Sequence, residues 1–250
     1  MDAELVRRGL SSSRSEAQAA IEAGWVTVSG APASKTSRLV APDEPVRLVD
    51  RARFVSRGGE KLEAALEHFA IDVRGRRVLD AGASTGGFTD CLLQRGAREV
   101  LAVDVGHGQL HPRIRDDERV VVFEHTNIRS VTVAMLDGPV DLVVADLSFI
   151  SLRTVARALL GAASPGADLV WLVKPQFEAG RVEVARGRGV VKDPAVRSRV
   201  QQEIGDLLAA EGATIIGWMD CPVAGPAGNV ELLVHAVAPP VSEPTGPVHT

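Results

Sequence analysis

Two lysines and two carboxylates stand at the ends of separate predicted elements: Lys61 in the first turn of a helix, Asp146 and Lys174 where apolar runs stop, and Glu231 where another begins. Gathered in one buried place, they would have few purely structural uses, because burying any one of them unpaired costs several kcal/mol. The set suits removal of a proton from a poor acid, with an amine as base and the carboxylates orienting the amine and the acceptor hydroxyl. A lysine near a helix N-terminus is disfavoured by the helix dipole, so the position of Lys61 itself points to a role.

The elements that must position these groups are organised around residues 78–89. An apolar run ending in Asp80 leads into Gly82, Ala83, Ser84, Thr85, Gly86 and Gly87, and Phe88 opens an apolar helical pattern, which reads as strand, tight loop, helix. Glycines at 82, 86 and 87 permit close approach of backbone to a ligand, and the helix presents unpaired N–H groups there. The second glycine of a G-x-G-x-x-G dinucleotide fingerprint would fall at Ser84, so that fingerprint is incomplete. The next apolar run, 100–103, ends at Asp104 and Val105, and a carboxylate there can accept hydrogen bonds from both hydroxyls of a ribose. Together with Asp80, this arrangement is typical of enzymes that use S-adenosylmethionine. Asn127 and Ile128, in the polar stretch after the third strand, are placed to reach an adenine, and Asp146 borders both the cofactor and the reacting groups.

Strands are predicted at 78–80, 100–103, 120–124, 141–146, 168–173, 214–218 and 231–235, with helices at 152–160 and 194–211 among those between them. Alternation of this kind gives an α/β fold, a Rossmann-like, seven-stranded and mostly parallel sheet with its site along the strand C-termini. Residues 1–50 form a separate small α+β unit, with helices at 3–8 and 15–23, a stop at Gly24, and strands at 25–28 and 46–49 around a turn at Ser29-Gly30. A basic linker, 51–59, joins it to the large domain, 60–238, and a Pro-rich tail occupies 239–250.

The 250 residues are 45% hydrophobic with a formal net charge of −4, so no global basicity marks a polyanionic partner. Any nucleic-acid surface must be local. One candidate is the segment 181–199, where Arg181, Arg186, Arg188 and Lys192 contribute to six Lys+Arg against Glu183 and Asp193, a basic flap beside the site. Cys91 and Cys221 lack metal-ligand spacing, and no metal is expected. No apolar stretch approaches the length of a membrane span, and a cytoplasmic monomer is expected.

The pattern R-G-L-x-x-S-R-x-x-A-x-x-x-I-x-x-G-x-V-x-V-x-G, from Arg8 to Gly30, resembles the αL RNA-binding module of a small-subunit ribosomal protein and of pseudouridine synthases. By that resemblance Arg7, Arg8, Arg14, Lys35 and Arg38 face RNA phosphates, with Arg57 in the basic linker beyond. Across residues 1 to about 237 the chain resembles the TlyA family of ribosomal RNA 2′-O-methyltransferases, once called hemolysins. The motifs that carry this are VSRGGEKL, VLDAGASTGGFT, DVGHGQL, TNIR, DLSFISL, LVKPQFE, GVVKDP and GPAGNVE. The resemblance implies an FtsJ-like methyltransferase domain, S-adenosylmethionine as donor, and a cytidine ribose in ribosomal RNA of either subunit as acceptor. It also implies a catalytic tetrad of Lys61, Asp146, Lys174 and Glu231, with Lys174 as base. His107 stands where the family commonly has tyrosine. The competing readings are an RNA-binding assembly factor on an inactive methyltransferase scaffold and a membrane-active hemolysin. The second finds no span and no strongly amphipathic basic helix.

Overall fold

The computed structural model describes residues 1–22, 25–33, 35–48, 53–180, 183, 187, 189–225 and 228–240. Gly24, Arg51, Arg181, Arg186, Arg188 and the tail from 241 lie outside the described residues. The chain divides into two compact units, Met1–Arg53 and Phe54–Thr250.

In the first unit, helices α1 (Asp2–Arg7) and α2 (Arg14–Glu22) pack on a three-stranded antiparallel sheet of β1 (Val26–Val28), β2 (Ala31–Pro32) and β3 (Val46–Leu48), with β1 central. Ser29 and Gly30 both take left-handed angles (φ 52° and 82°), the geometry a two-residue hairpin requires. Leu5, Ala17, Ala20, Ile21, Val26 and Val28 form the core, so the apolar positions of α2 point where their helical spacing directs them.

The second unit runs α3 (Gly58–His68), β4 (Arg77–Ala81), α4 (Gly87–Gln94), β5 (Glu99–Val103), α5 (Pro112–Arg115), β6 (Val120–Phe123), β7 (Val140–Ala145), α6 (Leu152–Ala162), β8 (Ala163–Val173), α7 (Pro175–Glu178), α8 (Pro194–Ala210), β9 (Thr214–Asp220) and β10 (Leu232–Val237). The seven strands lie in the order β6-β5-β4-β7-β8-β10-β9. All neighbours are parallel except β10, which is antiparallel to both β8 and β9. Helices cover both faces over two separate apolar cores. The central strands are accordingly apolar through their middles, with Leu142, Val143, Val144 and Ala145 fully buried. From β4 the chain steps outward to β5 and β6, then returns to the other side of β4 as β7. The crevice between the C-terminal ends of β4 and β7 is therefore a topological switch point, where ligands of open α/β sheets bind.

Most element ends shift by one or two residues from the sequence reading, and three differences bear on the site. Strand β8 begins at Ala163, five residues before Asp168, and runs through Pro165 and Gly166 beside a register break against β7 at Val140/Leu142; proline and glycine mark an irregular strand here rather than a loop. Strand β10 begins at Leu232, so Glu231 sits just before it. Helix α7, a single turn with proline at its first position and Lys174 as N-cap, is too short to leave a periodic signal.

Candidate active site

Each strand of the β4–β7–β8 core delivers an acid or amine to one edge. Asp80, near the end of β4, is fully buried; its Oδ2 accepts a 2.6 Å hydrogen bond from Thr89 Oγ1 in α4, and Oδ1 has no partner. Burial and the nearby Asp146 and Asp104 carboxylates push its pKa up to about 7, against the opposing Thr89 bonds. The loop that follows holds Gly82 and Gly86 at φ 85° and 94°. A Cβ at Gly82 would stand 2.6 Å from the Asp146 carbonyl, one at Gly86 2.9 Å from Leu110 Cδ1, and one at Gly87 2.1 Å from Ser56 Oγ. These glycines allow close approach between parts of the protein, and Gly82 and Gly87 also line the cavities described next. The close approach seats the β4 loop against the β7 loop and the start of α4 against Ser56.

Two adjoining cavities open at this edge. The first, about 550 Å3, is lined by Ser84, Asp104, Val105, Asn127, Ile128 and Asp146, among others. Asp104 accepts hydrogen bonds from the N–H groups of Ser84 (2.8 Å) and Gly106 (2.7 Å), which fixes its carboxylate and leaves each oxygen a further lone pair. Asn127 caps a single 3-10 turn, its Oδ1 accepting from Arg129 N at 3.0 Å. Beside this cavity His107 stacks on His125 with ring centroids 4.7 Å apart, and its Nδ1 lies 2.7 Å from Glu124.

The second cavity, about 510 Å3, shares Gly82, Ser84, Asp146, Ser148 and Phe149 with the first and is also lined by Ala83, Thr85, Gly87 and Phe88. All four groups of the expected tetrad line it. They form two pairs. Lys61 Nζ, from the first turn of α3, donates to Glu231 Oε2 at 2.5 Å, with the side chains 8% and 0% exposed. Lys174 Nζ, at the end of β8, lies 2.6 Å from Asp146 Oδ1, an ion pair without hydrogen-bond alignment, and donates to Ser148 Oγ at 2.9 Å. Each amine therefore has a carboxylate of its own. Gln176 Nε2 reaches Glu231 Oε1 at 3.4 Å, adding a second contact to that carboxylate.

Residues outside the sequence-assigned set complete the site. Phe149 is 91% exposed at a left-handed φ of 64°, an unusual state for an aromatic residue, and its ring lies 5.3 Å from that of Phe177. Asn229 is buried; it accepts from Val191 N at 2.8 Å and donates to Gly189 O at 3.0 Å, fastening residues 189–191 beside Glu231. The aromatic in DLSF was visible in the sequence, but its exposure follows from a backbone angle that no propensity encodes.

Of the residues expected to face RNA, Arg7, Arg14, Lys35, Arg57 and Lys192 are exposed, and Arg57 lines the second cavity. Arg7 pairs with Glu4, Arg14 with Asp2 at 3.1 Å, and the half-buried Arg38 with Glu44 at 2.8 Å. Arg8 is half-buried: its guanidinium bonds Glu4 (2.6 Å) and the carbonyls of Glu44 (2.7 Å) and Ala41 (3.0 Å), tying α1 to the segment before β3. Among the described residues no metal-binding cluster occurs, and no helix is long and apolar enough to cross a membrane.

Residues 54–237 match the FtsJ-like methyltransferase family model and residues 2–46 the S4 domain model. The chain is 53% identical over 234 residues to the 16S/23S rRNA (cytidine-2′-O)-methyltransferase TlyA of Mycobacterium tuberculosis, covering 92% of this chain and 87% of that one. It is 37% identical over 238 residues to Hemolysin A of Brachyspira hyodysenteriae, covering 95% and 99%. A solved structure from Streptococcus thermophilus, described under the hemolysin name, superposes with a TM-score of 0.75 at 35% identity, covering 99% of this chain and 90% of that chain. With two lysine–carboxylate pairs at the switch point of a seven-stranded sheet and relatives matched over nearly its whole length, the chain belongs to the TlyA family of FtsJ-like methyltransferases.

Proposed function

We propose that this protein transfers a methyl group from S-adenosylmethionine to the 2′-hydroxyl of a cytidine in ribosomal RNA. One observation carries the reading: a cavity walled by two lysine–carboxylate pairs adjoins a cleft whose strand-end carboxylate is Asp104, and the two share Asp146. The residues present fit the donor. Each cavity has the size of a small-molecule site, and Asp104 keeps lone pairs for the hydroxyls of a ribose. Asn127 and Ile128, which line the same cleft, would hold the adenine, and Gly82 and Ser84 line both cavities.

Bound there, S-adenosylmethionine supplies a methyl on a positively charged sulfur, with a neutral thioether as leaving group. The chain's own task is to seat the acceptor and manage one proton. Once its own ammonium proton has passed to the Asp146 carboxylate 2.6 Å away, Lys174 Nζ, hydrogen-bonded to Ser148, takes the proton of the 2′-hydroxyl as its oxygen attacks. Lys61 and Glu231, locked together and steadied by Gln176, orient the ribose from the facing wall. Phe149, exposed at the mouth beside Phe177, offers a face on which an extruded base stacks. Arg57 and the exposed basic residues of the S4 domain supply phosphate contacts. The rRNA-modifying activity in the name of the Mycobacterium tuberculosis relative supports the same acceptor.

The test is methyl transfer from labelled S-adenosylmethionine to purified ribosomal subunits, with the modified position mapped as a 2′-O-methylcytidine. Label on a base rather than a ribose, or none on either subunit, would overturn the reading.

A further inference from the structure

Glu178 lies at the end of α7, four residues beyond Lys174, and its side chain is 2% exposed. Its Oε2 accepts the Ser151 hydroxyl at 2.6 Å and its Oε1 the Leu152 N–H at 2.7 Å, both at the N-terminus of α6. Helix α6 already has a local cap, because Ser151 Oγ accepts from Arg153 N at 3.2 Å. A second, distant carboxylate adds little that the helix itself needs. What it adds is a fixed spacing between two segments.

One segment runs from Lys174 to Glu178; the other runs from Asp146 to Ser151 and carries Ser148 and Phe149. The second segment holds Phe149 at φ 64°, which costs on the order of 1 kcal/mol or more and persists only where the surroundings over-determine it. With its ring 91% exposed, Phe149 is not fixed by burial. It is fixed at both ends instead: Asp146 N donates to Ala81 O at 3.0 Å on one side, and Glu178 clamps Ser151 and Leu152 on the other.

We propose that Glu178 is a positioning residue for the transfer reaction, one buried carboxylate that holds the loop bearing Phe149 and Ser148 at a set distance from the segment bearing Lys174. The inference rests on the proposed function. Glu178 touches neither donor nor acceptor and acts through Phe149 and Lys174. Its effect therefore falls chiefly on turnover: the donor cleft keeps Ser84, Asp104, Asn127 and Ile128 on the β4, β5 and β6 loops and shares with the Glu178-held segment only residues 146–150.

The test uses the full chain, with donor affinity by calorimetry and kcat on ribosomal subunits, for Glu178→Ala, Glu178→Gln, Phe149→Ala and the double variant Glu178→Ala/Phe149→Ala. Glu178→Ala is expected to lower kcat at least tenfold with donor Kd within twofold. Glu178→Gln, whose amide accepts from Leu152 N–H and donates to Ser151 Oγ, should restore most of it. The penalty of Phe149→Ala should shrink to less than a third of its wild-type size once Glu178 is alanine. An active wild type whose Glu178→Ala variant keeps its kcat, or in which the Phe149 penalty is unchanged, overturns the inference alone. A wild type that binds donor yet methylates nothing overturns the proposed function first. Should Glu178→Ala fail to fold, Ser151→Ala removes one of the two bonds and must show the same pattern at smaller size, or the inference falls.

Discussion

Lys61 Nζ sits 2.5 Å from Glu231 Oε2, a contact between residues 170 positions apart whose side chains are almost hidden from water. Removing one partner of such a pair leaves an uncompensated buried charge and costs about 3–5 kcal/mol, whereas replacing both by apolar groups is often neutral or stabilising. Glu231→Ala should therefore lower both the melting temperature and methyl transfer. The double variant Lys61→Met/Glu231→Leu should recover stability while staying inactive. Thermal melts beside transfer assays separate the two effects, and a double variant that regains activity would remove the pair from the chemistry.

Lys174 is the amine whose loss should stop the reaction with least damage elsewhere. Its neighbours, Asp146 and Ser148, line the cavity and reach water more readily than Glu231 does, so truncation leaves a less costly orphan. Lys174→Ala is expected to lower kcat by about 100-fold or more, the scale of a lost general base, with donor affinity retained. Turnover near the wild-type level would take Lys174 out of the mechanism.

The parts of this site legible in the sequence are those set by local pattern. Strands β7 and β8 are apolar runs stopped by Asp146 and Lys174, and a parallel sheet brings such strand ends to one edge; Lys61, on a helix, and Glu231, before an antiparallel strand, are joined to them by the family resemblance. What stayed hidden depends on contacts between distant segments. Gly82 is required by the Asp146 carbonyl, Arg8 is claimed by carbonyls at 41 and 44, and Glu178 reaches an N-terminus 26 residues upstream. Spacing along the chain carries no record of any of these. Helices α5 and α7, four residues each, were missed because one turn has no period to detect.

Asp80 provides a pH test. Burial raises its folded-state pKa to about 7, well above the usual aspartate value, so the folded protein holds a proton that the unfolded chain releases. The stability Asp80 contributes is full below about pH 4 and is lost as pH rises through about 7. Melting temperatures of wild type and Asp80→Asn, compared from pH 4.5 to 8.5, should shift in favour of the variant as pH increases. A difference independent of pH would mean that Asp80 is ionised in the folded protein throughout that range.

Phe149 separates substrate seating from folding. Its ring is 91% exposed, so Phe149→Ala gives up little burial, and because alanine inherits the same left-handed backbone angle the strain is unchanged. The melting temperature should therefore move by no more than a degree or so. Loss of a base-stacking surface is worth about 1–3 kcal/mol, which corresponds to a fall in kcat/KM for ribosomal RNA of roughly 5- to 150-fold. Donor affinity should fall less than kcat/KM: Phe149 also lines the donor cleft, but Asp104 and Asn127 keep their places there. Steady-state kinetics on purified subunits checks this directly: unchanged kcat/KM would mean that the exposed ring does not contact the acceptor, and a large drop in melting temperature would mean that its contact with Phe177 holds the loop together instead.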